Sequence, residues 1–122
     1  HFTPFIFMQR IMLKSKIHRA TLTGTDLDYE GSITIDPILL EAADILPHEQ
    51  VHVLNLNNGS RIITYAIEGE RGSGTMLLNG PAARAGMIGD VIVILTYTHV
   101  DEKELAQYKP TIIKVDKFNH IN

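Results

Sequence analysis

Cysteine is absent from the 122 residues, which excludes a disulfide framework, a thiolate metal site and a cysteine nucleophile. The absence fits a reducing compartment, and the cytoplasm is the expected one. A basic excess is missing too. Lys+Arg number 11 against 14 Asp+Glu, a net charge of −3, so neither a nucleic-acid groove nor an anionic membrane surface is an expected partner. No apolar run approaches the roughly 20 residues that span a bilayer. Among His18, His48, His52, His99 and His120, only His48 and His52 have ligand-like spacing. That pair bridges a proline turn into a strand, so no metal is expected. Internal repeats and a linker between domains are lacking as well. What remains is one domain whose 44% hydrophobic content suffices for a core.

The opening His1-Phe2-Thr3-Pro4-Phe5-Ile6-Phe7 has neither the basic flank nor the small-residue cleavage site of a signal peptide. Residues 1–7 read as a remnant of recombinant expression, Met8 as the native start, and residues 8–122 as the domain. Within it, periodicity predicts short strands over residues 11–23, 32–35, 51–56, 61–67, 75–78, 91–96 and 111–115. In the first, Lys14, Lys16 and His18 share one face and Leu13, Ser15 and Ile17 the other. Gly24-Thr25-Asp26 is expected to break it, and residues 27–31 to form a loop. Asp36-Pro37 is a helix start, with the carboxylate at the N-cap and proline at the first helical position. The helix is predicted to run to about Asp44, with Ile38, Leu39, Ala42 and Ala43 as its apolar stripe. Asn57-Asn58-Gly59-Ser60 is a hairpin turn, and Asn79-Gly80-Pro81 leads into a single helical turn at Ala82-Ala83-Arg84. A brief exposed helix is expected near residues 101–104. Short strands without a βαβ rhythm point to a small β-barrel.

Gly31-Ser32 stands out because the serine opens a β-like run. Glycine reaches backbone angles closed to other residues, so this bond can be held where the serine hydroxyl reaches the preceding carbonyl carbon. A plain loop-to-strand serine is the competing reading of an isolated Gly-Ser.

The ordered set of motifs decides between them. Met12-Leu13 with Lys16-Ile17-His18-Arg19 comes first, then Tyr29-Glu30-Gly31-Ser32. Asn57-Asn58-Gly59 with Arg61 and Thr64-Tyr65 follows, then Asn79-Gly80-Pro81-Ala82-Ala83 and Ile88-Gly89-Asp90. From Met8 to Val115 the chain resembles the pyruvoyl-dependent aspartate decarboxylases, which make β-alanine for pantothenate and coenzyme A synthesis. The resemblance implies a mainly β fold, a six-stranded double-psi β-barrel with short helices. It also implies a homotetramer with active sites between subunits and L-aspartate as substrate. Pro81 stands where many members carry alanine, and Leu54 where some carry an aromatic.

Decarboxylating an amino acid leaves a carbanion that needs an electron sink. No cradle for pyridoxal phosphate is recognisable. By the resemblance, the sink is a covalent pyruvoyl group derived from Ser32. Ser32 Oγ attacks the Gly31 carbonyl to give an ester, elimination leaves dehydroalanine, and hydrolysis yields pyruvoyl and ammonia. The chain is thereby split between Gly31 and Ser32. The resemblance assigns Thr64 to substrate handling and to the oxyanion of processing. It assigns Tyr65 to protonation of the carbanion, since a phenol can donate its proton near neutral pH. Neighbours on a strand point to opposite faces, so Thr64 and Tyr65 sharing one pocket requires a twist or a subunit interface. Arg61 suits a substrate carboxylate, because a guanidinium binds carboxylates bidentately. Lys16 is a second positive charge for the other carboxylate, or simply a solvated strand residue. His18 orients the site or is structural. Asn79, Gly80, Pro81 and Ala82 match the substrate-binding turn. Pro81 has no N–H, which leaves the amides of Gly80 and Ala82 as donors. Tyr29 is placed to shape the scissile loop. Two alternatives stand beside this: a non-enzymatic β-barrel binding module, and a pyruvoyl decarboxylase for another amino acid.

Overall fold

The computed structural model describes residues 8–122, and the reading of residues 1–7 as an expression remnant lies outside them. The elements are β1 (Gln9–Thr21), β2 (Gly24–Asp26), β3 (Ser32–Ile35), α1 (Pro37–Ala43), β4 (Gln50–Asn55) and β5 (Arg61–Glu68). They continue with β6 (Met76–Asn79), a 3-10 turn at Gly80–Ala85, β7 (Val91–Asp101), a second 3-10 turn at Glu102–Gln107 and β8 (Thr111–Lys114). The chain is mainly β. Eight strands are hydrogen-bonded in the order β2-β6-β3-β5-β4-β7-β1-β8, with the short β2 and β8 outermost and six strands between them. The β1–β8, β2–β6 and β3–β5 pairs are parallel and the others antiparallel.

Gly24-Thr25-Asp26 pairs in parallel with Leu77-Leu78-Asn79, so the expected break is a short strand. Its partner arrives some fifty residues later and leaves no local trace in the pattern. Between β1 and β2, Thr23 N donates to Met76 O at 2.8 Å and Met76 N to Thr23 Oγ1 at 2.9 Å. One stretch of chain, residues 9–26, therefore touches β7 at its beginning and β6 at its end. The two ends of the strand order meet on that stretch, consistent with a small β-barrel. Ile17, Ile33, Ile35, Val51, Ile92 and Ile94 are fully or almost fully shielded from water and form the centre of the core.

Two register shifts interrupt the β1–β7 pairing, between Leu13 and Ser15 and between Ile17 and Ala20. The first places Leu13 opposite Tyr97 rather than on the Ser15–Ile17 face, as a bulge re-aims every residue before it. At the second, Arg19 takes a left-handed φ of 62°. In α1, Asp36 Oδ1 accepts from Ile38 N at 2.9 Å, as the cap predicts. The buried stripe is Leu39, Leu40 and Ala43, whereas Ile38 is 40% exposed. So short a helix buries one narrow strip only.

Candidate active site

β3 lies antiparallel to β6, with Ser32 opposite Asn79, and both side chains are buried. Asn79 Nδ2 donates to Ser32 Oγ at 2.9 Å and to Thr34 Oγ1 at 2.8 Å. The Ser32 hydroxyl in turn donates to the Glu30 carbonyl at 3.3 Å. An amide donor aimed at a hydroxyl oxygen stabilises negative charge that develops there. Directly after Asn79 the chain turns through Gly80 at a φ of +59°. A Cβ there would sit 2.5 Å from the Tyr29 carbonyl oxygen and 2.8 Å from Gly31 N. Only glycine fits such an approach, so residues 29–31 rest directly on the turn. The Pro81 ring reaches within 3.4 Å of where a Gly31 Cβ would be. The Gly31–Ser32 bond is thus packed from below by the turn and gripped by Asn79.

On β5, Thr64 lies opposite the buried Val51, on the core side, and Tyr65 opposite Gln50 on the outer side. They point to opposite faces, as strand geometry requires. β3 and β5 are parallel with Ile33 level with Ala66. One residue back in that register brings Tyr65 level with Ser32. The Tyr65 ring stacks on His48, with centroids 6.1 Å apart.

Arg61 stands on Tyr65's face at the start of β5. Its Nη2 donates to Tyr97 Oη and to His52 Nδ1, each at 3.2 Å. The second bond requires a neutral imidazole with its proton on Nε2. Burial, and after it the Arg61 charge, hold His52 below the usual imidazole range. These residues line a cleft of about 430 Å³ with Ile11, Gln50, Thr98 and His99. Lys16 shares the outer face but lies opposite Leu95, with β7 and β4 between it and β5. His18 Nδ1 is buried without a hydrogen-bond partner among the described residues. Burial first, then Lys16, Arg19 and Lys114, lower its pKa.

The described chain therefore carries two clusters. Gly31, Ser32, Asn79, Gly80 and Pro81 gather around the Gly31–Ser32 bond, with Tyr65 level with Ser32 on β5, and Arg61 with Tyr97 and His52 forms a cationic cleft. The sequence reading gave no site role to Tyr97 or Thr34, and weighed His52 only as a metal ligand with His48. Tyr97 and Thr34 meet their partners across strand pairings that no local pattern reports, whereas His52 meets Arg61 across the hairpin that the Asn57–Ser60 turn announces.

A model of the aspartate decarboxylase family matches residues 8–122. The aspartate 1-decarboxylase of Thermoanaerobacter pseudethanolicus is 60% identical over 112 residues, covering 92% of this chain and 96% of the relative. That of Dehalococcoides mccartyi strain 195 is 56% identical over 110 residues, 90% of this chain and 89% of the relative. The Myxococcus xanthus protein of the same name is 54% identical over 114 residues, 93% and 88% respectively.

Proposed function

The chain belongs to the aspartate decarboxylase family, and on that premise we propose that it converts L-aspartate to β-alanine and CO2 with a pyruvoyl group made from its own Ser32. The observation that carries the reading is the buried Ser32, held by Asn79 and underlain by the Gly80 turn. In processing, Ser32 Oγ attacks the Gly31 carbonyl carbon. The C–N bond to Ser32 breaks and an ester to Oγ forms. Loss of the Ser32 α-proton expels the Gly31 carboxylate and leaves dehydroalanine, and water then releases ammonia and completes the pyruvoyl group. Asn79 stabilises the charge that develops on oxygen, and Thr64, which points to the opposite face of β5 from Tyr65, joins it only across a subunit contact or a local twist.

The surroundings of residue 32 suit the group, because they are buried and offer the Asn79 amide. The pyruvoyl group supplies the electron sink for the carbanion at Cα. Tyr65, level with residue 32, returns a proton to that carbon. Arg61 and Lys16 bind the substrate carboxylates, with the amides of Gly80 and Ala82. Neither pyridoxal phosphate nor a metal enters the mechanism.

Arg61 and Tyr65 are four residues apart, about 13 Å along an extended strand. The guanidinium, moreover, is directed at Tyr97. Aspartate is too short to bridge that gap on one chain. This supports a homotetramer in which neighbours complete each other's sites. The exposed Ile11 (68%) and Ile63 (60%) beside Arg61 offer apolar surface for such a contact. Residues 8–122 then act as one domain, in the cytoplasm, feeding pantothenate and coenzyme A synthesis.

Warm incubation of the purified protein, followed by intact-mass measurement and a coupled β-alanine assay, tests this. Fragments meeting at Gly31–Ser32, and β-alanine formed from L-aspartate, are the expected results. A chain that stays whole and produces no β-alanine defeats the reading.

A further inference from the structure

We propose that Asn55, Asn58 and Ser60, in the β4–β5 hairpin, are positioning residues that hold the Gly80–Ala85 turn in place through a single atom, the Ala85 carbonyl oxygen. Asn55 Nδ2 donates to it at 3.1 Å, Asn58 Nδ2 at 2.9 Å and Ser60 Oγ at 3.1 Å. A carbonyl has two lone pairs. Three side-chain donors converging on one exceed what satisfying the end of a turn requires.

The neighbourhood reinforces the hold. After Ala85 the chain is extended at Gly86, where a Cβ would lie 2.6 Å from Leu22 Cδ1 and 3.1 Å from Asn55 Nδ2. Asn55 Nδ2 also donates to Asp90 Oδ2 at 2.9 Å, and that same oxygen accepts from Met87 N at 2.9 Å. Asn57 Oδ1 accepts from Val91 N at 2.8 Å. Both ends of the connection from Ala85 to Val91 are thereby tied to one hairpin. The turn is fixed at its near end by Gly80 against Tyr29 and at its far end by this clamp. The residue after Ser60 is Arg61, so the turn and the strand bearing Arg61, Thr64 and Tyr65 form one rigid unit.

Shaping the hairpin and clamping the turn fall to different atoms. Asn55 Oδ1 accepts from Asn57 N and Asn58 N, and Asn58 Oδ1 from Ser60 N. Those acceptors build the hairpin, whereas the donors reach outward to Ala85. Asn58→Asp keeps the acceptor and removes the donor, and Ser60→Ala removes only the hydroxyl. Two of the clamp's three donors can thus be removed with the hairpin intact, leaving only Asn55 Nδ2 on the Ala85 carbonyl.

The kinetic consequence, which rests on the decarboxylase reading, is a defect in substrate binding rather than in chemistry. The experiment compares the Asn58→Asp/Ser60→Ala double variant with the unaltered protein and with Ser60→Thr, which retains the hydroxyl. Amide hydrogen exchange over residues 82–86 should rise about tenfold in the double variant. KM for L-aspartate should rise by about the same factor with kcat little changed, or Gly31–Ser32 cleavage should slow, and Ser60→Thr should keep the original values. Unchanged exchange over residues 82–86 would overturn the clamp. So would faster exchange that leaves KM and cleavage both unaffected. If the unaltered protein makes no β-alanine, the decarboxylase reading fails by itself, and exchange together with cleavage rate still decides the clamp.

Discussion

At Gly80 one methyl group separates two backbones. Alanine there would have to hold a φ of +59° and place its Cβ 2.5 Å from the Tyr29 carbonyl oxygen. Left-handed strain of about 1–2 kcal/mol adds to an overpacking cost of about 1–3 kcal/mol. Gly80→Ala should therefore lower stability in denaturant titration by about 2–5 kcal/mol and slow cleavage in intact-mass assays. Gly59 also has a positive φ, but nothing lies within 4 Å of an added Cβ. Gly59→Ala should show only the backbone part. Asn79→Ala removes the donor on Ser32 Oγ and should slow Gly31–Ser32 cleavage about a hundredfold, measured as the half-time of fragment appearance. Cleavage at the unaltered rate would show that the amide grip plays no part in processing. Gly80 was legible in the sequence because motif and backbone demand coincide there. Gly31 has no positive φ, and an added Cβ would meet only Pro81 Cδ at 3.4 Å. The motif alone therefore marks Gly31-Ser32, and the expected glycine-only backbone is not found. The bond from Asn79 to Ser32 was not legible, since it spans 47 residues and exists only once β3 and β6 pair.

Among the elements, α1 was the easiest to read, because its cap is a local event. Asp36 does more than cap. Its carboxylate also accepts from Gly72 N at 3.0 Å and Gly74 N at 2.8 Å, pinning the β5–β6 loop. Burial pushes this carboxyl up, but the amides of Gly74, Ile38 and Gly72 outweigh it and hold the pKa below its ordinary value. A carboxylate depressed on folding stabilises fully above its unfolded pKa and loses that contribution as pH falls through the folded one. The stability difference between the unaltered protein and Asp36→Asn should thus close as pH drops below about 4. Denaturant titrations at stepped pH measure it, and a constant difference would deny Asp36 its role. His52 offers a second titration. Its NMR midpoint should lie below that of free histidine, and Arg61→Ala should restore only part of the shift, since burial is the larger cause. β7 was harder to read. The strand expected over 91–96 continues through residues 97–101, which pair with Gln9–Leu13 from the far end of the chain. Parallel pairings such as β3–β5 are equally silent, because no turn announces them.

For the whole molecule, light scattering should give about four times the 13.6 kDa of one chain. Co-expressing Ser32→Ala with Arg61→Ala tests whether one site draws on two chains. Random assembly should restore about a quarter of the activity if Ser32 and Arg61 come from different subunits, and none if they share one. The stretch from residue 9 to residue 26 has a thermodynamic consequence of its own. It is bound to β7 and β8 at one end and to β6 at the other, and it lies wholly upstream of Gly31. Cutting after Gly31 leaves it a separate peptide seated in the barrel wall. Unfolding the cut molecule is then a dissociation, so its melting temperature must climb with protein concentration, while refolding becomes second-order in chain fragments.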